Sequence, residues 1–99
     1  MRGKDIEQYL VKEVKKLDGT AYKFKSPQRR SVPDRLCVFP NGILAFVEVK
    51  ATGEVPTEAQ EREMDRLIIK GQWVLWVDRT SEVDRFIKKV KLMLGGDKV

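Results

Sequence analysis

Two short segments on either side of a predicted hairpin constrain this chain more than any other part of its sequence. Residues 32–36 read Val-Pro-Asp-Arg-Leu, and residues 46–50 read Phe-Val-Glu-Val-Lys. Between them, Pro40-Asn41-Gly42 has the composition of a tight turn. The interval is long enough for one strand, the turn and another strand, so we predict an antiparallel pair.

Antiparallel pairing brings the start of the earlier strand beside the end of the later one, so Asp34 is expected close to Glu48. Side chains two apart on a strand point the same way, so Glu48 and Lys50 share a face. Neighbouring carboxylates repel each other unless a cation lies between them. Mg²⁺ and Mn²⁺ prefer oxygen ligands. The pattern therefore predicts a hard-cation site beside a positive charge, which suits metal-assisted attack on a phosphodiester.

Each candidate residue also has an ordinary structural interpretation. Pro-Asp is common turn chemistry, so Asp34 alone is also explained as a turn residue. Lys50 is also explained as a salt-bridge partner of Glu48. Gln60 stands at the third position of a predicted helix capping box, yet it also lies on the inward stripe of that helix. Glu7 lies on or beside the apolar stripe of the first helix, where a solvated acid near a helix N-terminus is favourable anyway.

Length and composition exclude several classes of protein. Ninety-nine residues make one small domain, 1–99, and a formal net charge of +5 favours a polyanionic partner. The sequence has no histidine and one cysteine, Cys37, which excludes a Ser-His-Asp triad, an intramolecular disulfide and a Cys/His zinc site. We see no signal peptide and no apolar run long enough to span a bilayer, so we expect a cytoplasmic protein without membrane association.

Basic residues gather around the segment that contains Asp34. They are Lys23, Lys25, Arg29, Arg30 and Arg35. They are either surface charge that improves solubility or, beside a metal site, a rim that grips phosphates. Trp73 and Trp76 occur in an apolar strand, so we expect them in the core rather than on a base-stacking surface.

The rest of the chain supplies further elements. Apolar periodicity predicts helices over residues 4–17, 57–71 and 81–94. Alternating or apolar runs predict strands over residues 21–25, 35–39, 43–50 and 73–77. The first helix should stop at Asp18-Gly19 with glycine in the left-handed cap position, and a glycine-rich tail from Gly95 should fray. The order α-β-β-β-α-β-α predicts an α/β domain with a four-stranded mixed sheet flanked by helices and one βαβ crossover.

This pattern resembles the PD-(D/E)xK nuclease superfamily and, within it, the stand-alone VRR-NUC (virus-type replication-repair nuclease) domains found in bacteriophages. The resemblance covers nearly the whole chain. It is carried by Glu7, by residues 31–36 (Ser-Val-Pro-Asp-Arg-Leu), by residues 46–51 (Phe-Val-Glu-Val-Lys-Ala), by Pro56-Thr57 leading to Gln60, and by residues 71–74. It implies a restriction-endonuclease-like core and a Mg²⁺- or Mn²⁺-dependent endonuclease.

The resemblance also implies roles for individual residues. Asp34 and Glu48 would be the main metal ligands, Glu7 would complete the acidic cluster, and the backbone carbonyl of Val49 would coordinate as well. The catalytic lysine would be Lys50.

In the same family pattern, Gln60 would help to place water or the catalytic lysine. Small members of this kind resemble Holliday-junction resolvases, which implies a homodimer that acts on branched DNA in the host-cell cytoplasm. Two alternatives stay open, namely a non-catalytic DNA-binding module and a subunit of a larger phage nuclease complex.

Overall fold

The computed structural model describes residues 1–95, and these form helices and strands in the predicted order. The helices are α1 (Gly3–Lys16), α2 (Glu58–Ile69) and α3 (Thr80–Met93). The strands are β1 (Thr20–Lys23), β2 (Arg35–Val38), β3 (Leu44–Val49) and β4 (Val74–Val77). Every predicted element is present, with its ends shifted by one or two residues at most. Most of the predicted tail, residues 96–99, lies outside the described residues.

The four strands form one mixed sheet in the order β1-β2-β3-β4. Strand β2 is antiparallel to both β1 and β3, whereas β3 and β4 are parallel and are connected through α2. The β2–β3 hairpin turns at Asn41 and Gly42, whose φ angles are 65° and 74°. Asparagine and glycine tolerate this left-handed conformation better than other residues, which explains the turn. The predicted hairpin and mixed sheet are confirmed.

Helices α1 and α3 cover one face of the sheet and form the main core. Their inward residues recur at helical spacing. They are Ile6, Leu10 and Val14 of α1 and Val83, Phe86, Ile87 and Val90 of α3. Ala45, Val47 and Val49 of β3 are buried against this layer. Alternation along the strand therefore turns Glu48 to the opposite face.

The opposite face is only partly covered. Helix α2 packs beside β4, at one edge of this face. Trp76 lies in β4 and is 37% exposed, so the prediction that it belongs to the core is wrong. It pairs in register with Glu48 and so projects to the partly covered side of an edge strand. Trp73 is half-buried and packs edge-on against Phe86, with ring centroids 5.1 Å apart.

The end of α1 differs from the expectation in one respect. The left-handed residue is Asp18, with φ of 60°, rather than Gly19. A Cβ atom at Gly19 would lie 2.8 Å from the Cδ1 atom of Phe39 and 2.9 Å from the carbonyl oxygen of Val38. Glycine is therefore required here because the backbone passes close to the end of β2. No helix within residues 1–95 is long and apolar enough to cross a membrane.

Candidate active site

The carboxylate of Glu48 lies at the centre of the candidate site, and its two oxygens have different surroundings. The residue is 2% exposed. Its Oε2 atom accepts a hydrogen bond of 2.9 Å from Gln60 Nε2 and lies 3.5 Å from Lys50 Nζ. Its Oε1 atom is buried and has no hydrogen-bond partner among the described residues. A buried polar atom without a partner is unfavourable, so this oxygen is suited to bind a further group.

Asp34 lies beside Glu48, as the antiparallel register requires. Arg35, the first residue of β2, pairs with Val47. Asp34 immediately precedes β2 and therefore stands opposite Glu48, the residue after Val47. The Oδ2 atom of Asp34 accepts a hydrogen bond of 2.9 Å from the backbone N–H of Val49. This bond fixes the Asp34 carboxylate at the end of β3, and the structure thus brings the two predicted acids together.

Burial and charge oppose ionisation of Glu48. The pKa of Glu48 is raised from 4.5 to about 7, chiefly by burial and secondly by the negative charge of Asp34, with Lys50 partly offsetting both effects. A divalent cation at this position would reverse the balance, because it would favour both carboxylates in the ionised form.

The Gln60 side chain takes part both in the helix cap and in a contact with Glu48. The Gln60 backbone N–H donates to Thr57 Oγ1 at 3.2 Å, and the Thr57 N–H donates to Gln60 Oε1 at 2.9 Å. This is a complete capping box at the start of α2. The remaining amide group of the same side chain donates to Glu48. The cap therefore fixes the side chain that in turn holds one oxygen of the buried carboxylate.

Glu7 and Arg35 are arranged differently from the prediction. The Nε atom of Arg35 lies 2.7 Å from Oε2 of Glu7, and its Nη1 atom donates to the carbonyl oxygen of Ala21 at 2.9 Å. Arg35 pairs with Val47 and so projects toward α1, on the side of the sheet opposite Glu48. Within residues 1–95, no three Asp, Glu, His or Cys side chains converge on one point. Glu7 therefore does not complete an acidic cluster with Asp34 and Glu48.

Arg35 is also not part of an open basic rim, because only 16% of its side chain is exposed. The other basic residues border the loop that leads to Asp34. Together with Asp34 they line a groove of about 340 Å³ between the end of β1 and the following loop, and they are Lys23, Lys25, Arg29 and Arg30. Their position beside an acid of the candidate site is suited to phosphate groups.

Two acids that the sequence analysis did not single out hold the loops of the site. Glu63 of α2 is buried and accepts from Arg29 Nε at 3.0 Å, which attaches the basic loop to α2. Asp78 follows β4, and its Oδ2 atom accepts from the backbone N–H of Gly53 at 3.0 Å. Arg79 keeps the pKa of Asp78 well below its usual range. The position of Asp78 directly after an apolar strand was a sequence signal that could have singled it out. No such signal marked Glu63, because it lies in a strongly charged helix.

This chain is similar to known proteins. It is 54% identical over 78 residues to a protein of Acyrthosiphon pisum secondary endosymbiont phage 1 named "Putative nuclease p44", an alignment that covers 79% of this chain and 84% of the relative. A solved structure described as a VRR_NUC domain superposes with a TM-score of 0.82 at 28% identity. This chain belongs to the phage-type VRR-NUC nuclease family. The VRR-NUC superposition covers 89% of this chain and 97% of the solved one. No family model matches the chain.

The VRR-NUC assignment confirms the predicted family and the predicted fold class. The family is a nuclease family, so phosphodiester chemistry at the Asp34–Glu48 pair becomes the natural question.

Proposed function

We propose that this protein is a Mg²⁺- or Mn²⁺-dependent DNA endonuclease acting on branched DNA, built as one VRR-NUC domain over residues 1–99. The observation that carries the proposal is the unpartnered, buried Oε1 atom of Glu48 beside the Asp34 carboxylate. A buried carboxylate oxygen that has lost its hydration and gained no donor is what a hard cation would satisfy.

The donors present fit such a cation. Asp34, Glu48 and the backbone carbonyl of Val49 offer oxygen atoms only, which Mg²⁺ and Mn²⁺ prefer. Glu7 is left out of this set, because its carboxylate is occupied by Arg35 on the other side of the sheet. When bound, the ion would supply Lewis-acid activation of water and charge stabilisation at the phosphate.

The neighbouring side chains have separable tasks. The Gln60 amide holds Oε2 of Glu48, so that Oε1 is left for the cation. The Lys50 ammonium, 3.5 Å from Glu48, is placed to orient the attacking water and to offset charge on the phosphate. In the reaction, the water oxygen forms a bond to phosphorus as the bond to the 3′-oxygen breaks. The products carry a 5′-phosphate and a 3′-hydroxyl.

The basic groove supports DNA as the substrate. Lys23, Lys25, Arg29 and Arg30 surround the approach to Asp34 and are suited to grip the phosphates on either side of the cut. A domain of this size covers only a short length of DNA. Two copies related by a two-fold axis would supply one site for each strand of a symmetric junction, so the proposal includes a homodimer acting in the host-cell cytoplasm.

A cleavage assay tests the proposal. Labelled four-way junction, flap and linear duplex DNA are incubated with Mg²⁺, Mn²⁺, Ca²⁺ or EDTA, beside the Asp34→Asn and Lys50→Ala variants. We expect cutting of the junction with Mg²⁺ or Mn²⁺ and a loss of at least about a hundredfold in each variant. Junction binding in Ca²⁺ without cutting under any condition would favour a DNA-binding module or a subunit that needs a partner.

A further inference from the structure

Tyr22 is an exposed aromatic residue on the sheet face that carries the active site, and it is more exposed than Trp76, which projects from the same face at the other edge of the sheet. It occupies the edge strand β1 and pairs with Leu36, which in turn pairs with Phe46, so the three side chains form one row. Leu36 and Phe46 are half-buried, whereas Tyr22 is 56% exposed. The row therefore ends in an accessible ring at the open edge of a rigid sheet.

The position of Tyr22 relative to Asp34 follows from the strand ladder. The backbone N–H of Phe24 donates to the carbonyl oxygen of Asp34 at 2.9 Å, so the β1–β2 pairing continues to Asp34. Tyr22 and Asp34 are thus one strand apart and two residues apart along the ladder, and both are on the Glu48 face. Strand spacing and rise place their Cα atoms about 8 Å from each other. A nucleotide next to the scissile phosphate is within reach of the ring.

The surroundings of Tyr22 are complementary to a nucleic acid strand. Lys25 lies three residues farther along the chain, in the basic groove, whereas the Lys23 side chain points to the opposite face, 3.9 Å from Glu7 Oε2. Asp34 is the single acid among the residues that line this groove. Phe24, also in the groove lining, packs against Phe46 with ring centroids 5.7 Å apart, so the support beneath the groove is well packed.

We propose that Tyr22 stacks on a nucleobase that has left the duplex next to the scissile phosphate, and that it thereby favours branched or unpaired DNA over continuous duplex. The inference rests on the proposed nuclease function. Bases of a continuous duplex hide their faces in the stack, whereas a junction or flap presents bases that are free to stack elsewhere. An aromatic side chain on a positively charged path accepts any of the four bases.

A second copy of this chain is the other possible occupant of the row, and charge disfavours it. A symmetric contact through Tyr22 and Leu36 would bring the basic grooves of both copies, lined by Lys25, Arg29 and Arg30, toward each other. Like charges brought together in an interface are unfavourable. A phosphate strand neutralises the same groove.

The test compares Tyr22→Ala and Tyr22→Phe with the parent protein, and uses Ile69→Ala as the matched control because Ile69 is an exposed apolar residue of α2. Binding of four-way junction and linear duplex DNA is measured by fluorescence anisotropy in Ca²⁺. In parallel, 2-aminopurine placed beside the cleavage position reports stacking by its fluorescence. Light scattering gives the mass of each variant, and thermal unfolding shows that each is folded.

We expect Tyr22→Ala to weaken junction binding roughly tenfold, to change duplex binding less than about twofold, and to abolish 2-aminopurine quenching. Tyr22→Phe and Ile69→Ala should behave like the parent. The proposal would be overturned if Tyr22→Ala weakened junction and duplex binding equally, or weakened neither. A lower mass of Tyr22→Ala would also overturn it, because the row of Tyr22, Leu36 and Phe46 would then contact a second copy of the chain. If Tyr22 is needed for selective junction binding but the protein cuts no DNA, the stacking is supported and the endonuclease function is refuted. If the protein cuts branched DNA and Tyr22→Ala leaves both binding and cutting unchanged, the endonuclease function is supported and the stacking is refuted.

Discussion

At the scale of single residues, the decisive feature is the Glu48 carboxylate, of which only one oxygen has a hydrogen-bond partner in the described part of the chain. Oε2 of Glu48 is held by Gln60 and faces Lys50, while Oε1 is buried without a partner. Because burial raises the pKa of Glu48 to about 7, protonation of this group accompanies folding at mildly acidic pH. The protonation state of Glu48 therefore makes both the stability of the protein and its affinity for a cation depend on pH.

The first prediction concerns stability against pH in the metal-free protein. The pKa of Glu48 is about 7 in the folded protein and 4.5 ordinarily. The stabilisation that comes from protonating Glu48 in the folded state is therefore fully present below pH 4.5 and is lost as the pH rises through 7. The loss is on the order of 3 kcal/mol in the free energy of unfolding. Urea unfolding between about pH 5 and about pH 8 in EDTA should show it. In Glu48→Gln this slope should vanish; an unchanged slope would assign it to another group.

A second prediction separates the two roles of Gln60. Thr57→Ala removes the capping hydroxyl and should lower the free energy of unfolding by about 1 kcal/mol. Gln60→Ala should lower it by a similar amount and, in addition, reduce cleavage with Mg²⁺ by at least about tenfold, because Glu48 loses its donor. Urea unfolding and cleavage rates measured side by side decide the matter. Equal effects of both variants on cleavage would show that capping alone accounts for Gln60.

At the scale of elements, two loops and the end of β3 border the site, and each is held by a long-range contact. Asp78 accepts from the backbone of Gly53, in the loop that follows Lys50. Glu63 of α2 holds Arg29 in the loop that precedes Asp34. The end of β3 is bonded to Asp34 itself. Helix α2 therefore contributes to both sides of the site, through Gln60 and through Glu63.

The Glu63 contact gives a third prediction. Without this ion pair, the loop that contains Arg29 and Arg30 should open more often, because a buried partner of its arginine is lost. Limited trypsin digestion should cut after Arg29 or Arg30 several times faster in Glu63→Ala than in the parent. The exposed neighbour Glu61, changed to alanine, provides the control. Equal digestion rates in Glu63→Ala and the parent would show that the ion pair does not hold the loop.

At the scale of the whole molecule, local patterns predicted the architecture well. Periodicity, the Asn-Gly turn and strand alternation determined the element order, and hairpin register alone placed Asp34 beside Glu48. These features depend on residues close in sequence or on one pairing rule.

The contacts of α1 and α2 with the rest of the molecule were not predictable in the same way. Glu7 pairs with Arg35, and Glu63 with Arg29, because of how each helix is rotated and placed on the sheet. In a chain with 20 basic and 15 acidic residues, a local pattern cannot choose among so many possible ion pairs. Trp76 was misplaced for a related reason: an apolar strand looks the same at the centre of a sheet and at its edge.

The central claim is that Asp34 and Glu48 form one divalent-cation site, and Mn²⁺ binding tests it most directly. Titration of the protein with Mn²⁺, followed by the paramagnetic resonance signal of the free ion, gives affinity and stoichiometry without DNA. We predict saturable binding that weakens as the pH falls below about 7, where Glu48 becomes protonated.

Asp34→Asn and Glu48→Gln should each abolish this binding, while Glu54→Gln, which changes an exposed acid in the loop after β3, should leave it intact. Mn²⁺ binding that survives unchanged in either Asp34→Asn or Glu48→Gln would show that the two carboxylates do not form one cation site.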